Sequence, residues 1–247
     1  MSVTLCIDWG NSLVKAGIFN GEKLEEKYVF HGQNGGEQIT ALLDKHDPVA
    51  AIMCTVSNDS DSAESIIGDR VKKYIKLDNN TPLPIMNAYT SPGSLGADRL
   101  ALAVGAYVKY PNKNNLVVSL GTCITYNFIQ STRTFRGGAI SPGLHMRLNA
   151  MHHFTDRLPE VKLDGEVLML GYDTETGIRG GAVCGMIAEI DGMVTDFSSQ
   201  YPDFNAVLTG GDMSFFEGKL KSEIFADPDL LLTGLNLILK HNAPQVY

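Results

Sequence analysis

A short pattern that occurs twice constrains this chain more than any other feature. Leu-Cys-Ile-Asp8-Trp-Gly10-Asn-Ser lies over Leu-Val-Val-Ser119-Leu-Gly121-Thr-Cys, about 111 residues further on. Each copy is an apolar run, a Gly-polar turn and a second apolar run, which predicts a β-hairpin. Both copies then lead into helices and a further buried strand, expected at Val49–Val56 and at Asn205–Thr209. Strands alternating with helices in two successive sets predict an α/β fold built from two related halves with a central cleft. The boundary is expected near Asn114, giving halves 1–114 and 115–247. A length of 247 residues agrees with two small domains at about 150 residues per domain.

The remaining elements follow from spacing. Ser12–Phe19 alternates as the return strand of the first hairpin, and Leu24–Phe30 reads as a third strand. Gly36–His46 and Asp59–Tyr74 carry helical spacing. A polar loop is expected over Asn79–Ser94, and an Ala/Leu-rich helix over Leu95–Tyr110, stopped by Pro111. Leu116–Leu120 and Ile124–Ile129 form the second hairpin, and Pro142 suits a first helical turn. Gly177, Gly181, Gly185, Ala188 and Gly192 make one stripe on a helix. Each interior glycine costs about 1 kcal/mol relative to alanine, so the stripe implies close packing, within the chain or across a dimer.

Composition excludes several classes of partner. The net charge of −8 argues against holding nucleic acid or an anionic membrane by bulk electrostatics. No apolar run is long enough to span a bilayer. The N-terminal residues lack the basic start and long apolar core of a secretory signal. Cys6, Cys54, Cys123 and Cys184 are scattered through apolar surroundings, and read as reduced core thiols in a cytoplasmic protein.

The candidate chemistry sits at the turns. In Asp8-x-Gly10-Asn11-Ser12 the glycine lets backbone amides approach a ligand, and the polar side chains add donors for phosphate oxygens. A carboxylate at the strand end can hold Mg²⁺. An ordinary β-turn would share this composition, but Gly121-Thr122 repeats the device in the second half. Gly96-Ala97-Asp98-Arg99 opens a helix. There Asp98 is either a helix cap or a group that orients and deprotonates a hydroxyl, and Arg99 can grip a carboxylate or phosphate. Gly137-Gly138 and Thr209-Gly210-Gly211 add two glycine loops. The chain has no G-x-x-x-x-G-K-[ST], H-E-x-x-H or G-x-S-x-G motif, so phosphate binding would have to use the hairpins.

Taken in order, these motifs resemble the type III pantothenate kinase family, the short bacterial form also called Bvg accessory factor-like. That family belongs to the acetate and sugar kinase/Hsp70/actin superfamily. The resemblance rests on D-x-G-N-[ST] at Asp8–Ser12, Tyr89 followed by Pro92, G-A-D-R at Gly96–Arg99 and the G-T turn at Gly121-Thr122. It continues through G-G-x-I-x-P-G at Gly137–Gly143, Thr174 before Gly180-Gly181, T-G-G at Thr209–Gly211, and Pro228–Leu235. It implies duplicated ribonuclease H-like, actin-like ATPase domains and ATP-dependent phosphorylation of pantothenate to 4′-phosphopantothenate, the first step of coenzyme A biosynthesis. On the matching positions, Asp8, Trp9, Gly10, Asn11, Ser12, Leu13, Val14 and Lys15 would form the first phosphate loop, with Mg²⁺ at Asp8. Gly121 and Thr122 would form the second ATP contact. Asp98 would be the catalytic base, and Tyr89, Gly96, Ala97, Asp98, Arg99 and Thr174 would hold pantothenate. A homodimer is implied as well.

One position departs from the pattern. Where the family carries an aspartate that helps bind K⁺ or NH₄⁺, this chain has Ser119. An oxygen without charge leaves that site open to being weaker, differently supplied or lost. Trp9 and Cys123 are milder departures. Two other functions are compatible with the motifs: a nucleotide-binding regulatory protein with weak or no catalysis, and a kinase of the same superfamily acting on another hydroxyl substrate.

Overall fold

The computed structural model describes residues 2–55 and 60–246. In chain order it contains β1 (Val3–Trp9), β2 (Val14–Asn20), β3 (Lys23–Phe30), α1 (Gly35–His46), β4 (Ala50–Thr55), α2 (Asp61–Arg70), β5 (Lys73–Lys76), β6 (Met86–Asn87) and α3 (Ala97–Lys109). There follow β7 (Asn114–Leu120), β8 (Cys123–Ile129), β9 (Thr134–Gly137), β10 (Ile140–Pro142), α4 (Leu144–His153), α5 (Thr174–Gln200), β11 (Phe204–Gly210), α6 (Met213–Phe216), β12 (Phe225–Ala226) and α7 (Leu230–Asn242). Contacts group Met1–Pro111, Ile129–Arg136 and Asp229–Tyr247 into one compact unit, and Asn112–Phe128 with Gly137–Pro228 into another. The single boundary expected near Asn114 is a different partition, because α7 returns to the first unit.

In the first unit, β1, β2 and β3 form an antiparallel meander, and β4 and β5 join parallel on the other side of β1. The order is β3-β2-β1-β4-β5. Strand periodicity decides which side each residue faces. Leu5, Ile7 and Trp9 enter a core with Ile39, Leu42 and Leu43 of α1 and Ala63 and Ile67 of α2. Thr4 and Cys6 point to the opposite face, where Asn236 of α7 accepts a hydrogen bond from the Thr4 hydroxyl at 3.1 Å. Asp8 continues that second face. On β4 the same alternation puts Ala51 and Met53 in the core with α1 and α2, and Cys54 on the face of Asp8. The helices α3 and α7 approach closely: a Cβ at Gly105 would lie 2.6 Å from the Leu230 carbonyl oxygen.

The second unit repeats the arrangement. Its strands run β12-β11-β7-β8, the counterpart of β5-β4-β1-β2, with β10 pairing antiparallel to β8. Leu116, Val118 and Leu120 of β7 enter a core with Val183, Met186 and Ile190 of α5. Ser119 lies on the other face, at the place corresponding to Asp8. The expected α/β class and the doubled strand–turn–strand unit are both present.

Several boundaries differ from the sequence expectation. The helix expected to run to Tyr74 ends at Arg70, and Lys73–Lys76 pairs with Ala50–Met53 instead. That parallel ladder outweighs the helical spacing of Val71 and Tyr74. Val56 and Asp59, the expected ends of β4 and α2, lie outside the described residues. Pro142 does not start a helix: it closes β10 opposite Cys123, and Gly143 caps α4. A short edge strand tolerates the missing amide. The glycine stripe lies on α5, but a Cβ at Gly177, Gly181, Gly185 or Gly192 would find no atom within 4 Å. Among the described residues nothing packs closely on the stripe; Gly180, on another side of α5, is pressed against the Leu168 carbonyl.

Candidate active site

Parallel strands end their carboxyl termini at loops and helix starts, where polar groups can converge on a ligand. In the first unit, β1 ends at Asp8-Trp9, and the turn to β2 closes with the Gly10 amide donating to the Leu13 carbonyl at 3.1 Å. Asn11, Ser12 and Leu13 of that turn are exposed, and Lys15 is half-buried opposite Asp8 in the register. Trp9 and Val14 belong to the core. The Trp9 ring fills the space over Gly32 and Gly35. Of the run from Asp8 to Lys15, these two can therefore offer a ligand only their main chain.

Asp8 is flanked in the parallel register by Cys54, whose thiol donates to Asp8 Oδ1 at 3.6 Å. Burial pushes the Asp8 carboxyl up to about 6, and the Asp98 charge adds to the rise, while Lys15 and the Cys54 thiol act in the opposite direction. Asp98 is the second residue of α3. The helix cap is Gly96, in extended conformation, so Asp98 does not serve as the cap. Burial raises the Asp98 carboxyl too, against the amide and charge of Arg99. Gly96 makes this arrangement possible, since a Cβ there would collide with Asp98 Oδ1. Two desolvated carboxylates that each disfavour ionisation are suited to a proton acceptor and a cation ligand working side by side.

Arg99 is buried to 4% exposure. Its guanidinium carbon lies 5.8 Å from the Tyr89 ring centre and 5.9 Å from that of Phe135, and the two rings stack at 6.5 Å and 30°. Cation–π contact of this kind orients the planar fork that recognises a carboxylate. Phe135 and Cys54 carry no motif signal; only pairing Asn87 with Phe135, and Asp8 with Cys54, brings them here.

In the second unit, Ser119 is half-buried beside Thr209 in the parallel register of β7 and β11. The Gly121–Thr122 turn closes with the Gly121 amide on the Cys123 carbonyl at 3.1 Å, and the Thr122 side chain is exposed. Two loops rest on this strand end. The Gly143 amide donates to the Thr122 carbonyl at 3.1 Å, and the Asp212 amide to the Leu120 carbonyl at 3.1 Å. Gly210 has φ +102°, and a Cβ there would strike the Leu120 backbone. Thr174 is the exposed first residue of α5, behind a capping box in which Asp173 Oδ1 accepts from the Thr176 amide at 2.8 Å. The predicted site residues thus fall into two sets. Asp8–Lys15, Tyr89 and Gly96–Arg99 belong to the first unit; Ser119, Gly121, Thr122 and Thr174 belong to the second.

Comparisons with known proteins give the fold and the family. A conserved Baf-family protein from Campylobacter jejuni superposes with a TM-score of 0.63 at 20% identity, covering 97% of this chain and 99% of that one. An activator of 2-hydroxyisocaproyl-CoA dehydratase from Clostridium difficile with bound ADPNP gives 0.54 at 13% identity, covering 99% and 95%. A ROK-family glucokinase from Streptomyces griseus gives 0.53 at 13%, covering 98% and 99%. These likenesses establish the actin-like ATPase fold. In sequence, the chain is 41% identical to a type III pantothenate kinase of Bacteroides fragilis, over 97% of this chain and 98% of the relative. It is 42% identical to that of Phocaeicola vulgatus, over 97% and 99%. The profile of type III pantothenate kinase matches residues 4–196. With that span covering both hairpin turns and the Gly96–Arg99 helix start, the chain belongs to the type III pantothenate kinase family.

Proposed function

We propose that this chain transfers the γ-phosphoryl group of ATP to the terminal hydroxyl of pantothenate, giving 4′-phosphopantothenate. The observation that carries the reading is a pair of buried carboxylates, Asp8 and Asp98, the charge of the second raising the first, with Arg99 beside a stacked pair of aromatic rings, Tyr89 and Phe135. Asp98 would accept the hydroxyl proton as the oxygen attacks phosphorus, and Arg99, backed by Tyr89, would hold the pantothenate carboxylate. Gly96, by leaving room for the Asp98 carboxylate, and Ala97 would complete the substrate pocket at the helix start, and Thr174 of the second unit would add a hydroxyl contact. The amides of Gly10–Lys15 and of Gly121-Thr122 would cradle phosphate oxygens. Phosphoryl transfer asks mainly for position and charge neutralisation, so a carboxylate of modest basicity suffices as base.

Among the described residues, no group of three or more His, Cys, Asp or Glu side chains could hold a metal ion alone. The buried Asp8 carboxylate at the end of β1 fits Mg²⁺ delivered with the nucleotide, an ion that takes one or two carboxylates and completes its shell with water and phosphate oxygens. Asp8 would supply the carboxylate, and the bound ion would neutralise phosphate charge. Ser119, with Thr209 beside it, fits K⁺ or NH₄⁺ only as a set of neutral oxygens.

The reading includes a homodimer formed through α4 and α5 and activity in the cytoplasm. The exposed stripe from Gly177 to Gly192 supports the dimer, as does an apolar groove of about 520 Å³ lined by Met146, Ala150, Met151, Phe154 and Gly181. Phe154 is 80% exposed there. Among the described residues no helix is long and apolar enough to cross a membrane. The test is ADP release coupled to a reporter, with and without pantothenate, across a K⁺ titration, alongside light scattering for the mass. Pantothenate-dependent ADP release by a dimer is expected. Release that ignores pantothenate at every K⁺ concentration would overturn the assignment.

A further inference from the structure

Four polar side chains of the second unit converge where no motif predicts chemistry. Glu189, on α5, accepts a hydrogen bond from the Tyr126 hydroxyl of β8 at 3.0 Å and an ion-paired one from Arg147 of α4. Arg147 Nη2 also donates to the Ser141 hydroxyl at 3.0 Å, and its Nε donates to the Pro142 carbonyl at 2.8 Å. Arg147 is 20% exposed and Glu189 27%. Burial by itself would raise the Glu189 carboxyl, yet the bonds from Arg147, Ser141 and Tyr126 outweigh it and hold the carboxyl below its ordinary value.

A charge pair this far out of water recovers little net stability over an apolar pair of the same volume. What it does provide is one geometry. Pro142 is the residue before Gly143, and Gly143 is the seat of the second hairpin turn. Its amide holds the Thr122 carbonyl at 3.1 Å, and a Cβ at Gly143 would lie 2.6 Å from that same oxygen. The bonds therefore run in series from Glu189 through Arg147 to the Pro142 carbonyl, and from Gly143 to Thr122.

We propose that Arg147 and Glu189 are positioning residues that fix the Gly121–Thr122 turn for the nucleotide, by clamping the Ser141–Gly143 segment against it. The inference rests on the reading of that turn as an ATP contact. It assigns Arg147 and Glu189 no contact with pantothenate or with the transferred phosphoryl group. Their loss should therefore weaken ATP binding and spare the pantothenate step.

Calorimetric titration with ATP and Mg²⁺, which needs no turnover, is the primary test, with steady-state KM values for both substrates beside it. Arg147→Met keeps the aliphatic reach and removes the guanidinium. It should raise the ATP Kd and KM about tenfold, equivalent to about 1.4 kcal/mol. The pantothenate KM and kcat should stay within twofold, with light scattering read alongside because Arg147 also lines the apolar groove of α4 and α5. Glu189→Gln, nearly isosteric, should raise the ATP Kd less, and Arg147→Lys should regain part of the loss. The double variant should bind ATP no worse than Arg147→Met alone, because residues acting in series are not additive. Unchanged ATP affinity in both Arg147→Met and Glu189→Gln overturns the proposal, and so does a pantothenate KM that rises in step with that for ATP. If the native protein binds ATP but never turns over pantothenate, the kinase reading fails while the calorimetric comparison still decides this one. Failure of the native protein to bind ATP overturns both.

Discussion

Replacing Asp8 with asparagine tests the electrostatics of the first unit directly, because the amide has the carboxylate's shape and never ionises. Burial raises the Asp8 carboxyl from 3.8 to about 6. Between those values the folded chain binds more protons than the unfolded chain, so stability falls as pH rises through the window. At about 1.4 kcal/mol per pH unit, the ionised carboxylate costs the fold about 3 kcal/mol above pH 7. Asp8→Asn should therefore be more stable than the native protein by about 3 kcal/mol at pH 8, and equal to it near pH 4. At about 2–4 °C per kcal/mol for a chain of this size, the melting temperature at pH 8 should rise by about 6–12 °C. Trp9 is the single tryptophan, is 2% exposed, and adjoins Asp8 in β1. Its fluorescence through urea unfolding at a series of pH values reads the right unit. Pantothenate-dependent turnover of the variant should fall even as its stability rises. Native and Asp8→Asn curves that run parallel from pH 4 to 8 would refute the claim that Asp8 sits in a desolvated, strained position.

Four other substitutions follow from the same geometry. Asp98→Asn should lower kcat by about 10²–10⁴, the range of a lost general base, with a melting temperature no lower than native. Arg99→Met should cut kcat/KM for pantothenate about 10–100-fold through lost charge-assisted bonds while ATP affinity holds, as separate substrate titrations would show. Gly96→Ala places a methyl where Asp98 Oδ1 lies, so kcat should drop about tenfold or more while the melting curve barely moves. Gly35→Ala forces a Cβ into the Trp9 ring and should cost about 1–3 kcal/mol, with a red shift in the tryptophan emission.

Much of the fold is legible in local pattern. The apolar run Val3–Ile7 and its glycine turn predict a hairpin because alternation and turn chemistry act within a few residues. The start of α3 follows from the helix-forming run after Gly96. The candidate site is legible only as an ordered set: Asp8, Gly10, Asp98, Arg99, Gly121 and Thr122 each suit an ordinary turn or helix start, and it is their order and the repeated turn that single them out. Where the expectation fails, long-range pairing wins. Lys73–Lys76 is a strand only because β4 offers an edge, and Pro142 is a strand end only because β8 lies beside it.

By itself, then, the amino-acid sequence determined the doubled strand–turn–strand design, the alternation of strands and helices, and the residue types at the turns. Tertiary structure decided which distant residues share an environment. Cys54 meets Asp8 through the parallel register of β4 on β1, and Phe135 reaches Arg99 with Tyr89. Glu189 of α5 gathers Tyr126 of β8 and Arg147 of α4. It also decided that Trp9 is a core residue and that the α5 glycines face open space. The reason is physical: propensity and periodicity act over a turn or a strand, whereas register and desolvation exist only once the elements are packed.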